Sequence, residues 1–258
     1  MAGVLPPLAR HISAVKRRLI VIGIALLASF VVTFAYAPDM VAWLKRPFHD
    51  DLIFYGPTEA LFASLKVSLL AGVILTMPVI LYQGWKFIEP ALLPSEQRWA
   101  IPLLGLAAGF FALGLAFCNL VILPLVIQFF VSFGMDREVT PQLAVGTYID
   151  FNVKFLLVFG FAFELPLVLT ILSRIGVVSS KALALYRKYA VMVALIVSAI
   201  VTPDATLFTM LLMAVPLILL YEIGIWGARL FGRRKAAKQP GMNLEGVTPV
   251  GTAGHRVR

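Results

Sequence analysis

Charge is scarce in this sequence. Only 14% of its 258 residues are Asp, Glu, Lys or Arg, 60% are hydrophobic, and the mean hydropathy is +0.94. Soluble domains carry about 25% charged and about 45–50% apolar residues, so an ordinary water-soluble fold is excluded. Cysteine is nearly absent as well: Cys118 stands alone in an apolar run. It can form neither an internal disulfide nor a metal site by itself, and it reads as packing. The only histidines, His11, His49 and His255, are scattered along the chain. No GxxxxGK[ST], HExxH or GxSxG pattern occurs, which argues against an ATPase, a zinc protease or a serine hydrolase built on those devices. No enzymatic activity, cofactor or metal is expected. The net charge of +9 could suggest nucleic acid, but the basic residues flank apolar stretches and fill the C-terminal tail. Membrane orientation explains them better, and no nucleic-acid partner is expected.

What is present is a succession of uncharged runs, each of the roughly 20 residues needed to cross about 30 Å of hydrocarbon. The first, Leu19 to Tyr36, follows Arg10, Lys16, Arg17 and Arg18. This layout suits a signal peptide or a signal anchor, and Ala35-Tyr36-Ala37 resembles a cleavage site. The run is longer than the roughly 7–15 apolar residues of a signal peptide, so it is read as a first span. Pro38 to Ala60 is an acidic loop with enough apolar residues (Val41, Trp43, Leu44, Phe48) for a short interfacial helix. Span two runs from about Val67 to Trp85, and the short connector Lys86 to Arg98 follows it. Trp99 to Met135 has no charge at all and would be about 55 Å long as one helix. Reading it as a two-span hairpin would put Arg174, Lys181, Arg187 and Lys188 outside, against the positive-inside rule. One crossing is therefore expected, to about Leu123, with a bend near Asn119 and Pro124 and an outer apolar element beyond. Span four covers about Phe151 to Leu172. Ala190 to Val201 offers only about 18 Å of apolar helix, and after the turn Thr202-Pro203-Asp204 the chain runs back from Leu207 to Trp226. The expected fold is thus all-α: a polytopic membrane bundle of six transmembrane helices, both ends cytoplasmic, kinked and concave, with a short fifth helix. Residues 1–228 form the membrane domain and 229–258 a disordered, basic cytoplasmic tail.

Glu164 is the most informative side chain, because it lies mid-way along Phe155 to Leu172. An acid there costs roughly 3 kcal/mol on insertion scales and usually marks function; the plainer alternative is a protonated or hydrogen-bonded carboxyl tying two helices together. Pro166 adds to its polarity by displacing the carbonyl of Ala162 from helical bonding. Pro78, Pro102, Pro166 and Pro216 predict kinks in four spans. Gly105 and Gly109, with Gly114 beyond, suggest close helix packing. Phe155, Phe159 and Phe163 recur at helical spacing and read as lipid-facing or core bulk. Glu222, one turn from Trp226, can reach interfacial water, and Lys16-Arg17-Arg18 reads as an orientation anchor.

Several ordered blocks together resemble the TatC family, the multispanning subunit of the twin-arginine protein translocase, over roughly residues 10 to 228. They are Met77-Pro78-Val79-Ile80-Leu81-Tyr82-Gln83, Trp85-Lys86-Phe87-Ile88-Glu89-Pro90-Ala91-Leu92, Glu96-Gln97-Arg98, Phe163-Glu164-Leu165-Pro166, Arg187-Lys188-Tyr189, Thr202-Pro203-Asp204, and Ile218 to Ile223 with its Tyr221-Glu222 pair. The resemblance implies an inner-membrane receptor for folded proteins whose signal peptides carry paired arginines. Such receptors work in a multi-copy assembly with small single-span TatA- and TatB-type subunits and the proton motive force. It further implies Glu96 as the acidic contact for the signal arginines, a pairing that planar guanidinium groups can make bidentate. Phe87, Arg98 and Lys16 match other signal-binding positions, and Glu164 matches an intramembrane polar site. Pro47, Pro166, Asp204, Tyr221 and Glu222 match partner-contact or structural positions. The chain departs from the family's N-terminal pattern, roughly His-Leu-x-Glu-Leu-Arg-x-Arg-Leu. Its own sequence there is His11-Ile12-Ser13-Ala14-Val15-Lys16-Arg17-Arg18-Leu19, so the acidic position holds Ala14. It also has one proline in the turn after span five where many relatives have two. A rival of a different class is a proton-coupled small-solute transporter with Glu164 as the titrating group, but no inverted repeat of the kind such transporters carry is visible. A structural assembly factor collecting partner helices is a third reading.

Overall fold

The computed structural model describes residues 7–45, 56–89, 100–135, 144–202 and 206–232. Among these the chain is helical throughout, with no strand. The elements in order are α1 (Pro7–Ala35), α2 (Ala37–Lys45), α3 (Pro57–Ile88), α4 (Ala100–Phe117), a π turn (Cys118–Ile122), α5 (Leu123–Met135), α6 (Val145–Arg174), α7 (Ser180–Leu185), α8 (Arg187–Val201) and α9 (Leu207–Phe231). Among the described residues, five segments are long and apolar enough to cross a membrane: Val15–Ala35, Thr58–Ile88, Ile101–Phe130, Val145–Arg174 and Leu207–Phe231. The expected interfacial helix is α2. The 15 residues of α8 give about 22 Å of helix, short of the roughly 30 Å hydrocarbon core.

The long uncharged stretch forms a single rod rather than a hairpin. Within it, the π turn opens at Cys118, beside Asn119 and ahead of Pro124. Proline supplies no N–H and its ring crowds the carbonyl four residues earlier. A wider turn in the residues just before Pro124 accommodates that loss without ending the helix. Cys118 is fully buried, consistent with a packing role.

The antiparallel pair α1–α3 is held by Thr33, whose hydroxyl donates to the Ser68 carbonyl at 2.8 Å. Thr76 bonds the Ser29 hydroxyl at 3.0 Å, and Gly72 lets the backbone of Phe30 approach. Helix α6 is the hub, packing against α3, α4 and α9. Its Phe155 and Phe159 are fully buried and Phe163 nearly so, so the phenylalanine row is core and not lipid-facing.

Close packing of α4 on α6 depends on Gly114. A Cβ there would lie 2.6 Å from the Phe159 carbonyl oxygen and 2.9 Å from Phe163 Cβ. The expected pair, Gly105 and Gly109, is not at this contact: a Cβ at either would meet nothing within 4 Å. The spacing pointed to one face of the helix, but α6 meets α4 nearer the α4 C-terminus. Between α6 and α9 the same service comes from Gly224, against Leu169 and Pro166, and from Gly227, against Thr170.

Candidate functional site

The helix directions bring one cluster of expected residues together. Because α1 and α3 are antiparallel, the start of α1 lies beside the end of α3, where Lys16 is exposed and Phe87 is 59% exposed. Arg18 links the two elements, its guanidinium carbon 5.6 Å from the Phe87 ring centroid, within cation–π range. Lys86 stands similarly over Tyr82, at 5.5 Å. Ser13, Arg17, Arg18, Val21, Gln83 and Lys86 line a groove of about 510 Å³ at this end. Glu96, Arg98, Pro47 and Asp204 lie outside the described residues.

Glu164 occupies a second place. It lies ten residues before the end of α6, about 15 Å along the axis, and is only 7% exposed. Its Oε1 is buried and has no hydrogen-bond partner among the described residues. The hydrogen-bonded helix tie considered from sequence is therefore not formed at that oxygen. Two residues on, Pro166 is buried against Gly224 of α9, and the Thr170 hydroxyl donates to its carbonyl at 2.6 Å.

Tyr221 and Glu222 form a third place, joining α9 to the α7–α8 corner. The Tyr221 hydroxyl donates to the Leu183 carbonyl at 2.9 Å, and Glu222 pairs with Arg187 at 2.8 Å. Glu222, which the sequence places within reach of interfacial water, thus has a defined protein partner.

Sequence reasoning missed a polar seam at the opposite end of the bundle. Glu59, in the first turn of α3, accepts a 2.6 Å hydrogen bond from the Gly146 N–H. That N–H is one of the first-turn donors of α6 that have no intrahelical partner. Gly146 makes this approach possible, since a Cβ would lie 2.7 Å from the Glu59 carboxylate. Asp150 bridges Lys66 (2.8 Å) and Lys154 (2.7 Å). The Asp150–Lys154 pair is a legible i,i+4 spacing. The Lys66 and Glu59 contacts join distant segments and leave no local pattern.

The whole bundle, not one site, decides kinship. Residues 10–216 match the family model for the Sec-independent protein translocase protein TatC. The chain belongs to the TatC family. It is 42% identical over 235 residues to the Sec-independent protein translocase protein TatC of Aquifex aeolicus, covering 89% of this chain and 97% of that protein. It is 39% identical to the TatC of Desulforapulum autotrophicum, covering 89% and 86%. A crystal structure of a twin-arginine translocase receptor TatC superposes with a TM-score of 0.80 at 41% identity, covering 86% of this chain and all of that one. Membership makes the chain a multi-span membrane protein of the twin-arginine translocase, acting in protein transport. This sets aside small-solute uptake, and no catalytic family is indicated.

Proposed function

We propose that this chain is the receptor subunit that binds the twin-arginine signal peptides of folded precursors at an inner membrane. With small single-span TatA- and TatB-type partners in a multi-copy assembly, it passes the precursors across at the expense of the proton motive force. The observation that carries the reading is the Glu164 carboxylate: buried in a membrane-spanning helix, with one oxygen unpartnered among the described residues, it has capacity for a polar group on an incoming helix. Intramembrane acids without partners of their own are costly and persist where function needs them.

The chain crosses six times, α8 being a short fifth crossing, with the basic end in the cytoplasm. That end collects Lys16, Arg17, Arg18, Lys86, Arg174, Lys181, Arg187 and Arg229, as the positive-inside rule requires. Residues 1–228 are the membrane domain and 229–258 a basic cytoplasmic tail. Glu96 holds the signal arginines, supported by Phe87, Arg98 and Lys16, and Glu164 meets the inserted signal or a partner helix. Pro166, Tyr221 and Glu222 shape the helices that partners contact, and Pro47 and Asp204 serve the same role in two of the three outer connections. Site-specific crosslinking tests the assignment. A twin-arginine precursor bearing a photoreactive residue beside its arginines crosslinks to the wild-type chain, and Glu96→Ala abolishes the adduct. An unchanged adduct refutes Glu96 as the contact.

A further inference from the structure

Among the described residues, the groove between the start of α1 and the end of α3 is lined by three cations, Arg17, Arg18 and Lys86, and by no acidic side chain. Arg18 is its most constrained member. One face of the guanidinium covers Phe87, while Nη1 is buried from solvent and has no hydrogen-bond partner among the described residues. The sequence explains part of that vacancy: an acid at position 14 would stand one helical turn before Arg18 and could pair with it, but the chain has Ala14. A guanidinium with a buried N–H and no acceptor is costly, and an anion seated in the groove beside Arg18 offsets that cost as a counter-charge.

The depth of the groove selects the anion. From Arg18 to Ala35, the end of α1, is about 26 Å of helix, close to the roughly 30 Å thickness of the hydrocarbon core. The groove therefore lies where phospholipid headgroups lie. Its lining includes Val21, and the exposed apolar side chains of Ile24 and Val31 continue along α1 away from it, giving acyl chains a surface below the charged site. Basic recesses between membrane helices at this level suit anionic headgroups, and a phosphodiester oxygen matches the two-pronged donor geometry of arginine.

We propose that this groove is a binding site for the phosphate of an anionic membrane phospholipid, held by Arg18 with Arg17 and Lys86. The site does not depend on the signal-peptide assignment and is tested without a precursor. The full chain is reconstituted into nanodiscs of phosphatidylcholine and phosphatidylglycerol, released into mild detergent and weighed by native mass spectrometry. Wild type retains phosphatidylglycerol in preference to phosphatidylcholine. Removing one charge in Arg17→Gln, Arg18→Gln or Lys86→Gln weakens retention about fivefold. Lys181→Gln, at an exposed residue of α7 at the same end, leaves it unchanged. Circular dichroism identifies any variant that fails to fold, and the remaining two then carry the test. Equal retention of the two lipids, or wild-type retention by every folded groove variant, overturns the proposal. So does displacement of the lipid by millimolar inorganic phosphate, which would make the groove a site for free anions.

Discussion

At the residue scale, the role proposed for Glu164 sets function against stability. A buried carboxyl with an unpartnered oxygen costs about 1–3 kcal/mol relative to an apolar residue that fills the same space. Glu164→Leu is therefore expected to raise the thermal midpoint of the detergent-purified chain while cutting export of a twin-arginine precursor by about tenfold or more, an effect worth about 1.4 kcal/mol or more. A lowered midpoint would show that the carboxyl stabilises the fold through a partner of its own. Gly114 and Gly105 offer a paired measurement. Gly114→Ala forces a methyl against the Phe159 carbonyl and Phe163 and should lower stability by about 1–3 kcal/mol. Gly105→Ala meets open space and should be neutral or stabilising by up to about 1 kcal/mol, because alanine is the better helix former. Equal effects would contradict the α4–α6 contact. Glu164 was legible in the sequence because the one charge in the run Phe155 to Leu172 needs no partner to be conspicuous. Gly114 was not singled out over Gly105 and Gly109, because which glycine is crowded depends on where the neighbouring helix crosses.

At the scale of elements, two polar contacts tie helix ends together. Glu59 caps α6 from a different helix, accepting from an N–H that α6 cannot satisfy itself. Glu59→Ala should cost about 1–2 kcal/mol, as loss of a favourable cap does, measured by chemical denaturation in detergent; an effect confined to a few tenths would mean that water replaces the carboxylate. The Arg187–Glu222 pair is different in kind. Both side chains are partly exposed, so its net contribution should be about 0–1 kcal/mol, and it links the start of α8 to α9. The swap Arg187→Glu with Glu222→Arg should recover most of the export lost in either single variant. Failure of that rescue would assign one of the two charges to a partner outside the chain. Helix existence was readable from apolar length alone. The capping was not, since Glu59 and Gly146 are far apart in sequence and each looks like an ordinary loop-edge residue.

At the scale of the molecule, five helices have spanning length and α8 does not, so the bundle is uneven and the membrane beside α8 must thin or the helix must sit shallow. Cysteine labelling tests the orientation. The native Cys118, fully buried, should resist a membrane-impermeant maleimide from either side. In a Cys118→Ala background, Lys181→Cys should label only from the cytoplasmic face and Thr58→Cys only from the opposite one; labelling of both from one side would overturn the six-crossing topology. The sequence by itself determined the solvent and the class of fold, because a chain so poor in charge can satisfy its backbone in lipid only as helices or a closed barrel, and its runs have helical length. It also determined the family, through blocks whose order survives without coordinates. Only the tertiary structure decided which glycines are crowded, that Arg18 reaches Phe87 across two helices, that Glu222 meets Arg187, and that one oxygen of Glu164 has no hydrogen-bond partner among the described residues. Each of these is a relation between segments distant along the chain, fixed by how helices cross and not by any pattern within one of them.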